Sequence, residues 1–115
     1  MALCLRDDGV CMITTVIFDL DDTLYDEIDF CRSGFRAAAA HIATLSNARP
    51  AEAVFEVIWR CFITGDCGST FNLALAELGI PVEPPLIHRL VEVYRTHAPT
   101  LTLPAESRST LEELQ

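Results

Sequence analysis

Lysine is absent from this 115-residue chain. All eight basic residues are arginine, against seventeen acidic ones, and the formal net charge is −9. A chain so short of positive charge has no basic cluster for a nucleic-acid backbone or an anionic membrane surface, and neither is expected as a partner. The missing lysine also removes the phosphate-loop reading of Gly65-Asp-Cys-Gly68-Ser-Thr, which has the glycines of such a loop but no strand before it. An ordinary loop is expected there. Cys-x-x-Cys pairs are missing too. Cys4, Cys11, Cys31, Cys61 and Cys67 are odd in number and scattered, as are His41, His88 and His97. That spacing suits neither a disulfide framework nor a zinc site. No apolar run approaches the roughly 20 residues of a membrane span. The first residues, Met1-Ala-Leu-Cys-Leu-Arg-Asp-Asp, hold no sustained apolar stretch of the secretory kind. Reduced thiols without such a signal point to the cytoplasm. Repeats and low-complexity tracts are also lacking, and half of the residues are apolar, which is a globular composition of one domain.

The acid is unevenly placed. Residues 1–30 carry eight carboxylates and one base, Arg6, whereas residues 31–115 carry nine carboxylates and seven bases. A local acidic concentration in an otherwise balanced chain suggests a metal or proton-transfer site. Residues 1–12 read as an irregular leader ahead of Met12. Ile13-Thr-Thr-Val-Ile-Phe18 is β-branched or aromatic throughout, short and followed by acid, which predicts a buried strand of the parallel-sheet type.

From Asp26 the period changes. Ile28, Cys31, Phe35, Ala38, Ile42 and Leu45 recur at three and four residues and predict an amphipathic helix. Pro50 suits the first turn of a second helix bearing Val54, Phe55, Ile58 and Phe62, with Gly65 just past its end. Ser69 is placed to cap a third helix, with Phe71, Leu75 and Leu78 inward and Gly79 closing it. Pro84 and Pro85 open a fourth, with Leu86, Leu90, Val93 and Tyr94 on one face. Pro99 and Pro104 bracket a short connection, and a fifth helix runs from near Ala105 to the last residue, Gln115. Phe55, Trp59, Phe62 and Phe71 read as helix-bundle core, and the three histidines as surface or boundary residues.

The chemistry-bearing segment is Val16-Ile-Phe-Asp19-Leu-Asp21-Asp22-Thr23-Leu24-Tyr25. Two carboxylates lie two residues apart where the predicted strand ends, the position at which open α/β sheets bind ligands. One can serve as nucleophile or metal ligand; its neighbour past the turn can serve as general acid and base. An EF-hand is excluded, because counting from Asp19 the sixth position is Leu24 and the twelfth is Phe30, where a calcium loop needs glycine and glutamate. An acidic turn in which Asp22 or Thr23 merely caps the next helix is the plain structural alternative.

The string Phe18-Asp-Leu-Asp-Asp-Thr-Leu-Tyr25 closely resembles motif I of the haloacid dehalogenase-like (HAD) hydrolases. The pattern around it resembles the family's helical-cap type, in which four or five helices follow motif I and the chain then returns to the core through a segment like Leu103-Pro104-Ala-Glu-Ser. The resemblance implies an α/β fold: a Rossmann-like core represented here by its first strand, plus an inserted α-helical cap, so that this chain is itself mostly helical. Its divisions are then a leader at 1–12, core strand and motif turn at 13–25, helical cap at 26–100, and the return to the core at 101–115. The resemblance also implies that Asp19 is the nucleophile that forms an aspartyl-phosphate and ligates Mg²⁺. Asp21 is the acid/base, with its backbone carbonyl on the metal, and Thr23 supports the turn. The substrate so implied is a small phosphorylated metabolite. Expelling a halide needs no proton, and the family's true dehalogenases lack the second acid, so Asp21 favours a phosphatase over a dehalogenase.

Three further motifs of that family are not found. They are a Ser or Thr ending a second core strand, a lysine (rarely an arginine), and an acidic pair that completes the metal site. Cys61-Phe-Ile-Thr64-Gly looks superficially like the first of them, but its upstream residues have helical spacing. The chain is therefore expected to be the front part of a larger enzyme and nearly inactive alone, prone to dimerise through its lone strand. The alternative is a non-catalytic fragment or binding module.

Overall fold

The computed structural model describes residues 2–7, 10–45, 49–65 and 67–115, with side chains described from residue 12 onward except at residue 67. Most of the described chain is helical. Two strands, β1 (Ala2–Asp7) and β2 (Val10–Val16), precede five α-helices among the described residues: α1 (Glu27–Leu45), α2 (Ala51–Thr64), α3 (Thr70–Leu78), α4 (Pro84–Thr96) and α5 (Ala105–Glu113). A short 3₁₀ turn, Cys67–Ser69, leads into α3.

The first strand differs from its sequence reading in three ways. It spans Val10–Val16, so it starts and stops earlier than 13–18. The supposed irregular leader supplies a strand of its own, and the two pair antiparallel, with Ala2 opposite Val16 and Asp7 opposite Val10 and an irregularity between Leu3 and Cys4. And β2 is exposed: Met12 is 62% and Ile13 61% accessible. The physical reason is the obligation of a strand to pair its N–H and C=O groups. Ala2–Asp7 supplies those partners. An isolated hairpin of two strands is marginal in water.

By its contacts the chain divides into two units. One comprises Met1–Glu27 together with Leu101–Gln115; the other is the continuous stretch Ile28–Thr100. The helical unit is built around Phe35, Ala38, Ala39 and Ile42 of α1, Val54, Phe55, Ile58 and Cys61 of α2, Phe71, Ala74 and Leu75 of α3, and Leu90 of α4. Ile42, Ile58, Leu75 and Leu90 are fully buried. The α1 stripe holds through its middle, but its ends, Ile28 and Leu45, are exposed. Phe55 and Phe71 are buried, with Trp59 and Phe62 packed on the same core. Arg36 joins α1 to α2 twice, by an ion pair to Glu52 at 2.7 Å and by lying 4.1 Å from the centre of the Phe55 ring.

The helix ends follow their proline and glycine signals. Pro50 stands at the N-cap of α2, its carbonyl accepting from Val54 N–H, and Gly65 caps the other end through Cys61 O. Thr64 therefore ends a helix, not a strand. Gly79 takes the left-handed conformation, φ 72°, while Ile80 N–H donates to Leu75 O, as glycine does past a helix end. Pro84 and Pro85 open α4. Ser69 holds the N-cap position of α3 but makes no side-chain capping bond, because the 3₁₀ turn before it sets the backbone instead. Helix α5 stops at Glu113, two residues earlier than expected.

Gly34 permits the closest approach in the core. A Cβ there would lie 2.6 Å from Cδ2 and Cε2 of Tyr94 and 3.1 Å from Cε1 of His97. The Tyr94 ring is hemmed by Phe30, Phe35 and Phe71, with centroids 5.8, 4.9 and 6.5 Å away, and has little room to yield. Alanine gains about 1 kcal/mol over glycine in a helix, while overpacking costs about 1–3 kcal/mol. Because the Tyr94 ring is so closely held, the overpacking cost should fall in the upper part of that range, and Gly34→Ala is expected to lower stability by up to about 2 kcal/mol in urea unfolding. An unchanged or raised midpoint would contradict this packing.

Candidate active site at the acidic turn

After Val16 the chain leaves the strand and closes on itself. Leu20 O accepts from Thr23 N–H at 3.4 Å and from Leu24 N–H at 3.1 Å. Within the turn Asp22 takes a positive φ, 55°. Aspartate is among the few residues besides glycine that visit this region, since its short polar side chain can bond locally. Here Asp22 Oδ1 accepts from Glu27 N–H at 2.9 Å, which satisfies a donor at the start of α1 that the helix cannot satisfy internally. The backbones of Asp21 and Tyr25 bridge across the turn.

The two carboxylates of interest are both exposed. Asp19 Oδ1 accepts from the next backbone N–H, that of Leu20, at 2.9 Å. Asp21 Oδ1 accepts from the Tyr25 hydroxyl. Thr23 contributes its backbone N–H to the turn; its hydroxyl makes no hydrogen bond among the described residues. None of the ion pairs among the described residues involves Asp19, Asp21 or Asp22; the paired arginines are Arg32, Arg36, Arg60 and Arg89. Among the described residues no cation pairs with the carboxylates of the turn.

Tyr25 joins this turn through its hydroxyl. Its bond to Asp21 shows in the phenol, whose pKa is pushed up from 10.0 to about 12, first by that hydrogen bond and then by the surrounding carboxylates Asp21, Glu27 and Asp22. Below pH 10 the phenol is protonated whether the chain is folded or not, so the bond contributes fully. As pH rises from 10 through about 12 the unfolded chain ionises first and the contribution is lost. Ultraviolet titration should thus find one tyrosine ionising late, assigned by its loss in Tyr25→Phe. Asp21→Asn should bring that transition back toward the ordinary tyrosine value. A late transition that survives Asp21→Asn would break the assignment.

The donor set fits Mg²⁺ as this ion is usually held. It keeps several waters and takes one or two carboxylates plus substrate oxygens. Asp19 and Asp21 offer hard oxygens in an exposed position. Among the described residues no group of three or more His, Cys, Asp or Glu side chains is gathered into a metal cage.

Elsewhere, the histidines fall as expected at the surface or boundary. His97 is the most engaged, with Nε2 2.8 Å from Ser33 Oγ and Nδ1 bonded to Tyr94 O. Cys31 and Cys61 are free thiols. Among the described residues no helix is long and apolar enough to cross a membrane. Comparison with protein-family models, with curated proteins and with solved structures found no match.

Proposed function

We propose that this chain carries the nucleophile turn and helical insert of a Mg²⁺-dependent phosphomonoester hydrolase of the haloacid dehalogenase-like type, acting on a small phosphorylated metabolite. The observation that carries this reading is the segment Phe18–Tyr25, with Asp19 and Asp21 exposed at one closed turn and without arginine partners among the described residues. The insertion of a helical unit, Ile28–Thr100, between two segments that group together supports it, since a cap inserted after the first strand divides a chain in that manner.

In this reading Asp19 attacks the phosphorus of the ester, and the P–O bond to the alcohol breaks. Asp21, protonated, gives its proton to the departing alkoxide. Asp21, now a carboxylate, then takes a proton from water as that water attacks the aspartyl-phosphate, releasing inorganic phosphate and restoring both groups. Tyr25 holds Asp21 Oδ1, which orients the carboxyl and leaves Oδ2 for the proton. Mg²⁺, held by Asp19 and by the backbone carbonyl of Asp21, would neutralise the charge between nucleophile and phosphate.

A second reading is favoured by one specific observation, the absence of lysine. Residues 1–115 hold no lysine to clamp a transferring phosphoryl group. Losing one such group costs roughly a hundred- to a thousandfold, so a chain used in this form would act as a binding module. The deciding experiment is Mg²⁺-dependent hydrolysis of p-nitrophenyl phosphate by the purified 115-residue chain and by the longest reading frame that contains it. Turnover in the longer protein and little in the shorter supports the hydrolase. No turnover in either supports the binding module. Turnover without a divalent ion would overturn the metal-dependent mechanism.

A further inference from the structure

Inside the helical unit, α1 to α4 leave a cavity of about 280 Å³. Phe35 and Phe71 are buried and Phe62 partly so, and they form its inner wall; Asn72 and Arg95 are exposed and stand at its mouth. The volume lies at the low end for small-molecule sites. At about 30 Å³ per water it has room for roughly nine water-sized groups, enough for one ring with a short arm.

Arg32, Arg36, Arg60 and Arg89 each hold a carboxylate. Among the described residues Arg49, Arg95 and Arg108 hold none, and of these three Arg95 is the one that lines this cavity. Glu92, one turn earlier on the same helix, is engaged by Arg89 at 2.9 Å. A guanidinium without a carboxylate, at the mouth of an aromatic cavity, is a receptor for an anion with an apolar body.

We propose that this cavity binds a small organic monoanion, a carboxylate on an aromatic or branched aliphatic body. The body lies against Phe35, Phe62 and Phe71, and the carboxylate lies on Arg95. One guanidinium matches one carboxylate through two parallel N–H···O bonds and balances one charge. A phosphate dianion would leave charge uncompensated beside apolar walls, which is unfavourable. The amide of Asn72 can add one neutral hydrogen bond. The site uses none of the residues of the acidic turn and does not depend on the hydrolase reading.

The test is titration of the full chain with phenylacetate and with its neutral isostere phenylacetamide, followed by amide chemical shifts. Phenylacetate is expected to bind at least about tenfold more tightly, the worth of a charge-assisted pair, with shifts centred on Phe71 and Val91. Arg95→Gln should erase the difference between the probes and leave phenylacetamide unchanged; Arg95→Lys should restore part of it. A role for Arg95 confined to the last turn of α4 would move stability but not this selectivity. Equal affinity of the two probes in the native chain, no binding of phenylacetate up to about 10 mM, or undiminished selectivity in Arg95→Gln would each overturn the proposal. The first two hold even if the variant does not fold.

Discussion

Replacing Asp19 by asparagine is expected to abolish phosphate-ester hydrolysis in the longest reading frame that carries this chain. The amide nitrogen and oxygen are poor nucleophiles toward phosphorus, and the anionic metal ligand disappears with the same substitution. Together these losses should lower turnover by at least about a thousandfold. The fold should be untouched, because Asp19 is exposed and its one hydrogen bond is to the adjacent backbone N–H. Circular dichroism should therefore match the native protein while Mg²⁺-dependent release of p-nitrophenol falls to background. Asp21→Asn makes a useful contrast. p-Nitrophenolate leaves without a proton, so attack by Asp19 continues, whereas the hydrolysis step loses its base, about a hundred- to ten-thousandfold. Acid-quenched Asp21→Asn should accumulate a phosphorylated protein by mass spectrometry, and Asp19→Asn should not. Retained turnover in Asp19→Asn, or an adduct on it, would remove Asp19 from the nucleophile's role.

Leu90→Ala is expected to have the largest effect on stability. Leu90 is the one buried residue of α4 and is fully inaccessible. The helix otherwise rests on partly buried Leu86, Ile87, Val91 and Tyr94. Truncating a fully buried leucine costs about 2–5 kcal/mol, a large share of the roughly 5–15 kcal/mol that separates folded from unfolded domains. Because α4 has a single anchor in the core, its amides should lose hydrogen-exchange protection before those of α2, whose Val54, Phe55, Val57, Ile58 and Cys61 are all buried. Exchange that weakens uniformly across α2 and α4 would show that α4 does not act as a separate segment.

The helices could be read from the sequence because their signals are local. The α1 stripe from Cys31 to Ile42 repeats at helical spacing, Pro84 and Pro85 can only begin a helix, and Gly79 sits where a left-handed residue is needed. The hairpin was not legible, because Ala2–Asp7 shows no strand pattern of its own until it is seen to pair with Val10–Val16. A run such as Ile13–Phe18 does not say which strand will pair with it, since that depends on residues distant in sequence. Ser69 was misjudged for a related reason: capping preference belongs to the residue, but the preceding 3₁₀ turn decides the backbone. At the candidate site, the identity of Asp19 and Asp21 was legible and the hold of Tyr25 on Asp21 was not. That contact depends on Leu20 O closing the turn and Asp22 taking a positive φ. The cavity and the unpaired Arg95 arise from three-dimensional packing of four helices and leave no linear trace.

The contact between Ser33 and His97 has a consequence for modularity. Ser33 lies near the beginning of the helical unit and His97 near its end, yet Ser33 Oγ and His97 Nε2 are 2.8 Å apart and the Phe30 and His97 rings are 4.8 Å apart. The chain thus leaves and comes back at nearly one point. A unit whose termini meet can be cut out and bridged by a few residues, or rejoined end to end with new termini opened in a loop, without stretching what remains. It is also a piece that one chain could acquire by a single insertion and another could exchange whole.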